Sequence, residues 1–283
     1  MNNKIIDAHV HIYPSEFEED WDLIAKREPW FDRLTKSKVH KWGTAEDLIE
    51  SMDKNNIAAS FVTGFAFKDQ GLCRISNDYI LSAAKRFPDR IKALSVVSPN
   101  EPGASDEIAR CAAEGAIGIG EIFPDGQSFD ITDNRETWRL VNSCREHDLF
   151  LMIHTAEQAG HDYEGKGKVG ANEAAKFCCN HPGIKVIFAH FGGGLWAYEG
   201  MPEMKLILSN TYYDTAAMPW LYSEKVLDSI FALGIGHKIL FGSDWPILDF
   251  PRYEQLLNLT KLKDEEKLML LYKNAAALCN EIS

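Results

Sequence analysis

Two histidines lie two residues apart in the apolar segment IIDAHVHIYP, near the beginning of the sequence. The β-branched, apolar composition predicts a strand, and in a strand residues i and i+2 point to the same side. His9 and His11 therefore face the same side, which is the start of a divalent metal site. An isolated His-x-His pair is equally compatible with two half-buried structural histidines, so other parts of the chain must decide.

Four further residues that could bind a metal stand at the ends of other apolar segments. Glu121 lies in GIGEIF, His154 in LMIHT, His190 in IFAHFGGG and Asp244 in LFGSDWP. None of them is strong evidence alone, because a single histidine in such a place is more often structural. All of them would meet His9 and His11 only if the segments that carry them end at the same side of one sheet.

Short apolar segments alternate with amphipathic segments along the chain, at the repeat of about thirty residues that strand–helix units have. One of the predicted helices, 44–56, begins with Thr44 and Asp47 in capping-box positions. Such alternation favours a parallel sheet with helical crossovers, and eight units predict a (β/α)8 TIM barrel. A doubly wound open sheet is the alternative, although the Gly-x-Gly-x-x-Gly sequence of its nucleotide-binding version is missing after the first strand. The predicted strands are residues 4–12, 58–65, 91–99, 116–123, 149–155, 184–192, 205–216 and 237–246.

A long insertion, residues 13–43, separates the first strand from its helix and would lie at the mouth of the barrel. Its large aromatic side chains either pack against the mouth or contact substrate, and both can hold. No Pro/Ser-rich linker or low-complexity segment divides the chain, so we expect a single domain over residues 1–283. The aromatic residues of the insertion are Trp21, Trp30, Phe31 and Trp42.

In a barrel, catalytic groups cluster at the C-terminal ends of the strands. That placement predicts one functional metal site formed by His9, His11, Glu121, His154, His190 and Asp244. The other histidines lie elsewhere: His147 and His181 near helix ends, where a cation suits the helix dipole, His237 at the start of strand eight, His40 in the insertion and His161 in a loop.

Composition limits the classes of function. The 283 residues are 45% hydrophobic and 25% charged, which is ordinary for a globular protein. The formal net charge of −12 argues against nonspecific binding to nucleic acid or to an anionic membrane. Six cysteines without a Cys-x-x-Cys pair indicate reduced thiols. With no signal segment and no long apolar stretch, we expect a cytoplasmic protein without a membrane partner. A homo-oligomer is left open.

The segments DAHVHIYP, IFAHFGGG and FGSDWP resemble the amidohydrolase superfamily of metal-dependent barrels, above all its amidohydrolase-2 branch. The resemblance covers essentially the whole chain. The branch includes aminocarboxymuconate-semialdehyde decarboxylase and its relatives, as well as several lactone hydrolases. For its decarboxylases, the resemblance implies a single metal held by His9, His11, His154 and Asp244, with His190 assisting catalysis.

Glu121 adds a feature to this pattern, because it resembles the bridging carboxylate of TatD-like members that hold two metals. The resemblance then implies that Glu121 is shared by two ions, one on His9, His11 and Asp244 and the other on His154 and His190.

Glu121 therefore favours a hydrolase, in which metal-activated water attacks a small amide, lactone or ester. Asp244 would move the proton of that water to the leaving group. One alternative is a metal-dependent nonoxidative decarboxylase, a lyase, of an unsaturated or aromatic carboxylic acid. The others are a protein whose metal is structural and a TatD-like nuclease, which the acidic balance disfavours.

Imidazole and carboxylate ligands suit Zn²⁺, so we expect one or two zinc ions per chain, with Mn²⁺ as the other candidate. The substrate is expected to be a small molecule, but the loops contain no pattern that identifies it. Tyr163 and Lys166, in the loop after strand five, are candidate substrate contacts, and Tyr213 and Thr215 end strand seven.

Overall fold

The computed structural model describes residues 5–280, so Lys4, the first residue of the predicted first strand, lies outside the described part. Eight parallel strands form one sheet in the order β1 to β8, and helices connect them. The prediction of a (β/α)8 TIM barrel with a long insertion after the first strand is confirmed. The strands are β1 Ile5–His11, β2 Ile57–Thr63, β3 Ile91–Ser95, β4 Gly118–Ile122, β5 Phe150–Ile153, β6 Val186–Phe188, β7 Thr211–Asp214 and β8 Ile239–Leu240.

The barrel closes between β1 and the segment that follows β8. The backbone N–H of Ala8 donates to the carbonyl of Phe241, and that of His11 donates to the carbonyl of Trp245, both at 2.7 Å. The N–H of Asp244 donates to the carbonyl of His9 at 2.9 Å. The closure therefore places the first and last predicted metal ligands side by side, although they are more than 230 residues apart in the sequence.

The helices lie outside the sheet and pack their apolar faces against it. The predicted capping box is present, because the Asp47 N–H donates to Thr44 Oγ1 at 3.2 Å and the Thr44 N–H donates to Asp47 Oδ2 at 2.9 Å. Two 3₁₀ turns, Leu195–Gly200 and Gly236–Lys238, and a π-helical turn, Met269–Lys273, complete the connections. The helices after the insertion are Ala45–Lys54, Gln70–Arg86, Ala104–Ala113, Pro124–Gln127, Asn134–Glu146, Ala171–Asn180, the kinked segment Ala189–Gly192, Pro202–Ile207, Met218–Leu221, Lys225–Ala232, Phe250–Leu257, Asp264–Leu268 and Asn274–Asn280.

The insertion folds into three short helices, Ser15–Glu19, Trp21–Ala25 and Pro29–Thr35. Phe31 is fully buried, with its ring centroid 5.2 Å from that of Phe65 at the end of β2. Aromatic contacts of this kind, together with the apolar area they bury, hold the insertion against the mouth of the barrel. The predicted packing of its aromatic residues is thus present.

Several predicted strands begin earlier than the observed ones, and at two of these sites the extra residues are helical. Lys205–Ile207 was predicted as strand but completes the helix that begins at Pro202, a residue favoured at the first helical position. Leu206 is 81% exposed and Leu208 is buried, whereas in a strand both would point to the same side. At the other site, His237 lies in a 3₁₀ turn that precedes β8, and β8 itself is shorter than predicted.

Within residues 5–280, none of the helices combines the length and the apolar character needed to cross a membrane.

His181, which follows the helix Ala171–Asn180, was predicted to carry a positive charge near the helix end. His181 is only 4% exposed. The Thr137 hydroxyl donates its hydrogen to the Asp133 carbonyl, so its oxygen is the acceptor for the Nε2–H of His181, at 2.8 Å. Burial, together with the charge of Arg145, lowers the pKa of His181 to about 4. The ring is therefore neutral, and the predicted cation is wrong.

This buried imidazole should make stability depend on pH. The pKa of His181 is lower in the folded than in the unfolded protein. Its contribution to the unfolding free energy is therefore complete above about pH 6.5 and is lost as the pH falls toward the pKa of His181 in the folded protein. The wild-type protein should lose unfolding free energy between pH 7.5 and pH 5. We expect this loss to be about 2 kcal/mol smaller in His181→Gln, measured by urea denaturation at both pH values. The same change at exposed His147 serves as the control. Equal pH slopes for wild type and His181→Gln would contradict the assignment.

Candidate metal centre

The six predicted metal ligands all lie at the C-terminal end of the barrel, on five different strands or just after them. The structure brings their side chains together in two overlapping groups whose ligand atoms lie within 4.8 Å of one another: His9, His11 and Asp244, and His9, Glu121 and His190. His154 joins through a contact with Glu121.

The first group surrounds a single point. His9 Nε2 and His11 Nε2 are 3.1 Å apart, and Asp244 Oδ1 lies 3.8 Å from the first and 3.6 Å from the second. Glu121 Oε2 lies 3.6 Å from both nitrogens. Ligands bonded to one ion at about 2.1 Å stand roughly 3.0–3.5 Å from one another, so these four side chains need only small movements to share a cation.

Glu121 also faces the second group through its other oxygen. His154 Nδ1 lies 3.0 Å from Glu121 Oε1, and His190 Nε2 lies 3.6 Å from the same atom. The rings of His154 and His190 meet edge to face, with centroids 4.8 Å apart. The carboxylate of Glu121 therefore lies between two groups of ligands, one on each oxygen.

Hydrogen bonds behind the site fix the orientation of His9 and His11. The Nδ1–H of His9 donates to Asp214 Oδ2 at 2.8 Å, and that of His11 donates to the carbonyl of Gly64 at 3.1 Å. Each neutral ring must then present the lone pair of Nε2 to the centre. Two acceptors 3.1 Å apart repel each other unless a proton or a metal ion lies between them, so this pair fits a cation.

The other two histidines face Glu121 from the second group. His190 donates its Nδ1–H to the carbonyl of Ala216 at 3.1 Å, so Nε2 is the ring nitrogen that faces the anionic Glu121. His154 Nε2 is buried and finds no hydrogen-bond partner in the described part of the chain. A buried polar atom without a partner is costly, so this nitrogen needs a partner that the described residues do not provide.

The electrostatics of the site demand positive charge. Burial lowers the pKa of His9, but the charges of Asp214 and Glu121 outweigh it and raise that pKa well above its ordinary value. Burial also lowers the pKa of His190. The hydrogen bond to Glu121 and the charge of that carboxylate outweigh burial and raise the pKa to about 9. The pKa of Glu121 lies well below its usual range despite burial, chiefly because of His9. The carboxylates therefore favour positive charge among these imidazoles, and a divalent cation can supply it.

The loops after β6 and β8 hold their residues in backbone conformations that are unusual for non-glycine residues. His190 has a φ of 54° and Asp244 a φ of 64°, and such conformations cost about 1 kcal/mol or more each. Three glycines follow His190, and at Gly193 a Cβ would lie 2.7 Å from the carbonyl oxygen of Ala156. A tight turn therefore follows His190, and only glycine fits at position 193.

Asp214, the last residue of β7, was missed by the sequence analysis, although its neighbours Tyr213 and Thr215 were considered. It is completely buried; its Oδ1 accepts from the backbone N–H of His190 and of Ala216, while its Oδ2 accepts from His9. The available signal was a carboxylate at the end of a strand, the same signal that identified Glu121 and Asp244.

Replacing Asp214 by asparagine should weaken metal binding. Asparagine keeps the size but presents an amide where His9 Nδ1–H needs an acceptor, and loss of such an orienting partner typically costs 10–100-fold in metal affinity. The affinity can be measured by competition with a chelator. Asp133→Asn, which changes an aspartate remote from the site, is the control, and an unchanged affinity in Asp214→Asn would refute the orienting role.

A cavity of about 560 Å³ opens above the ligands, which form its floor. Its walls are largely apolar, and the side chains that close them include Phe65, Phe123, Trp220, Leu221 and Ile247. Apolar walls above a few convergent polar groups are typical of a site for a small molecule.

The insertion contributes to this cavity, but not through its tryptophans. The insertion residues that line it are Tyr13, Leu34, Ser37, Val39 and His40. The segment thus both packs against the barrel and borders the cavity.

The two candidate substrate contacts are placed differently. Tyr163 lines the cavity. Lys166 is turned into its own loop, where its Nζ donates to the carbonyls of Ala159 and His161 at 3.2 and 3.1 Å. Lys166 therefore stabilises the loop that carries Tyr163.

Comparison with known proteins places this geometry in context. A family profile described as amidohydrolase matches residues 6–279. The γ-resorcylate decarboxylase of Rhodococcus jostii (strain RHA1) is 21% identical, over 73% of this chain and 76% of that protein.

Two solved structures have a similar fold. The 5-carboxyvanillate decarboxylase of Novosphingobium aromaticivorans, complexed with manganese and 4-hydroxy-3-methoxy-5-nitrobenzoic acid, has a TM-score of 0.78 at 16% identity, over 98% of this chain and 96% of that one. The 2,6-dihydroxybenzoate decarboxylase from Rhizobium has a TM-score of 0.70 at 17% identity, over 99% and 100%. At these identities, the likeness to solved structures shows the fold alone.

Proposed function

This chain belongs to the amidohydrolase family and is an enzyme of that superfamily, and from this premise we propose that it is a metal-dependent nonoxidative decarboxylase of an aromatic carboxylic acid. The observation that carries the proposal is its similarity to γ-resorcylate decarboxylases along most of both chains. The cavity supports it, because its walls are apolar and its volume suits a substituted benzoate above the metal ligands.

The prediction of a hydrolase acting on an amide, lactone or ester is wrong. The relatives in sequence are γ-resorcylate decarboxylases, and the neighbours in fold include decarboxylases of 2,6-dihydroxybenzoate and 5-carboxyvanillate. The prediction depended on Glu121 as a ligand shared by two metals. Its Oε1 has a hydrogen-bond partner in His154, so the carboxylate has a place in the site without a second ion.

For the metal, we propose one divalent cation bound between His9, His11 and Asp244, with Glu121 Oε2 as the nearest further donor. These are the atoms that approach one another most closely around one point. Nitrogen and oxygen donors suit both Mn²⁺ and Zn²⁺. The manganese in the 5-carboxyvanillate decarboxylase supports Mn²⁺ over the Zn²⁺ expected from the ligand types alone.

When bound, the cation supplies positive charge that orients the carboxylate of the substrate and an adjacent ring hydroxyl. The apolar walls hold the aromatic ring and exclude water from it. Asp244, at the floor, would take up a proton from solvent and deliver it to the ring carbon that bears the carboxylate, which returns Asp244 to its anionic form. A new C–H bond forms there; the C–C bond to the carboxylate then breaks, its electron pair restores the aromatic ring, and CO₂ leaves.

We also propose that the chain forms one domain, since the eight described strands form one continuous sheet.

The function can be tested with a panel of hydroxybenzoic acids. Metal-loaded protein is incubated with each acid, and the decarboxylated arene is measured by chromatography. We expect turnover of at least one acid, loss of turnover after chelation, and recovery on adding Mn²⁺. Folded protein with a full metal complement that releases no arene from any acid in the panel would contradict the proposal.

A further inference from the structure

We propose that the cavity selects aromatic acids that carry a single carboxylate and whose other substituents are neutral. This inference rests on the proposed decarboxylase function, and it concerns which acids the site accepts.

The first observation is the absence of fixed cations. Across the described residues, no lysine or arginine lines the cavity. The nearby Lys166 is committed to its own loop, where its side chain is only 11% exposed. Arg33 approaches the mouth but is paired with Glu164, which itself lines the cavity. The permanent charges on the cavity wall are therefore negative.

The metal site can neutralise only one carboxylate of the substrate. That carboxylate is the one to be lost, and it must lie at the floor beside Asp244. A second carboxylate on the ring would lie higher in the cavity, against side chains such as Phe65, Phe123 and Leu221. Placing an unpaired charge against apolar walls is far less favourable than placing a neutral group of the same size there.

The polar groups of the walls are neutral hydrogen-bonding groups. The ring of His40 packs edge-on against Trp42, with centroids 4.6 Å apart, and its Nε2 has no hydrogen-bond partner in the part of the chain described. Burial, and then the charge of His11, lowers the pKa of His40 to about 4, so that the ring is neutral. Burial raises the pKa of Tyr163 to about 12, which keeps its hydroxyl neutral as well.

These neutral groups can form hydrogen bonds with hydroxyl substituents, but they do not compensate the negative charge of a carboxylate. His161 also borders the cavity, but it is exposed, so solvent would screen any charge on it. The chain should therefore accept acids such as 2,6-dihydroxybenzoate and reject those, such as 5-carboxyvanillate, that have two carboxylates.

A matched set of ligands isolates the effect of charge from that of size. Salicylate, 5-carbamoylsalicylate and 5-carboxysalicylate share one core, and the last two differ mainly in one negative charge. We expect Mn²⁺-loaded protein to bind the amide within about threefold of salicylate and the dicarboxylate at least about 30-fold more weakly, by calorimetry. Equal affinity for the amide and the dicarboxylate would overturn the inference.

A substitution at the mouth provides a second test. Val39 lines the cavity and is 46% exposed, so a longer side chain can extend from it without disturbing the core. Val39→Lys should improve binding of 5-carboxysalicylate about tenfold and leave the amide unchanged. Val39→Gln, of similar length without the charge, should improve neither, and equal effects of the two variants would count against the inference.

The binding experiments separate this inference from the proposed function. Binding in the expected order without any release of CO₂ from the panel of acids would contradict decarboxylation but support the selection for one carboxylate. Turnover of hydroxybenzoates together with tight binding of the dicarboxylate would support decarboxylation and contradict the selection for one carboxylate. If none of the three ligands binds, both are overturned.

Discussion

Replacing Asp244 by asparagine is expected to slow decarboxylation by about a thousandfold or more, because general acid–base catalysis by one residue contributes 10²–10⁴-fold. Asparagine keeps the shape of the side chain but can neither deliver the proton nor contribute its charge. Asp244 Oδ1 lies 3.8 Å from His9 Nε2 and 3.6 Å from His11 Nε2, so the change also removes one charged ligand. The rate is measured at saturating Mn²⁺, with the metal content determined in the same samples.

Asp249→Asn is the matched control for this experiment, since Asp249 is an exposed aspartate five residues along the same segment. It should retain the wild-type rate. Asp244→Asn protein with a full metal complement and a rate within tenfold of wild type would show that Asp244 does not supply the proton.

His11→Ala is the second change with a large expected effect, on the metal itself. It removes one of two nitrogens that lie 3.1 Å apart at the centre of the site. It also leaves the Gly64 carbonyl without its imidazole donor. We expect the affinity for Mn²⁺ to fall at least 100-fold and turnover to fall with it, as measured by elemental analysis after dialysis and by arene release.

His161→Ala is the control, because His161 borders the same cavity but lies away from the cluster. It should keep its metal. Full metal occupancy and turnover in His11→Ala would mean that the metal binds elsewhere, and the proposed ligand set would have to be abandoned.

The barrel could be predicted because the sequence repeats its elements eight times, so an error at one boundary did not change the topology. The boundary at Lys205–Ile207 failed for a local reason. An apolar segment this short does not distinguish the period of a helix from that of a strand. Only the exposure of Leu206 and the burial of Leu208 in the structure distinguish the two.

The side chains of the candidate metal site could be found because they lie at the ends of five apolar segments, and the barrel brings such positions together. Asp214 has the same position on β7 but was overlooked, although it carries the same signal, a carboxylate at the end of a strand. Its contacts with His9 and with the backbone of His190 cross from one strand to others, and no local pattern encodes them.

The choice between hydrolysis and decarboxylation could not be made from the ligands, because both reactions use the same types of side chain around a metal. Lys166 illustrates the same limit at the substrate cavity. Its position after β5 suggested a contact with a substrate carboxylate, yet hydrogen bonds within the loop direct its Nζ to the carbonyls of Ala159 and His161. Such choices depend on loop conformation, which has no periodic signature in the sequence.

The most direct measurement is release of ¹³CO₂ from carboxyl-labelled 2,6-dihydroxybenzoate by Mn²⁺-loaded protein, followed by mass spectrometry in the absence of oxygen. The proposed function predicts one ¹³CO₂ for each resorcinol formed, no requirement for an organic cofactor, and no release after chelation. Retention of the label in this and other hydroxybenzoic acids, while the same metal-loaded protein hydrolyses an ester or a lactone, would contradict it.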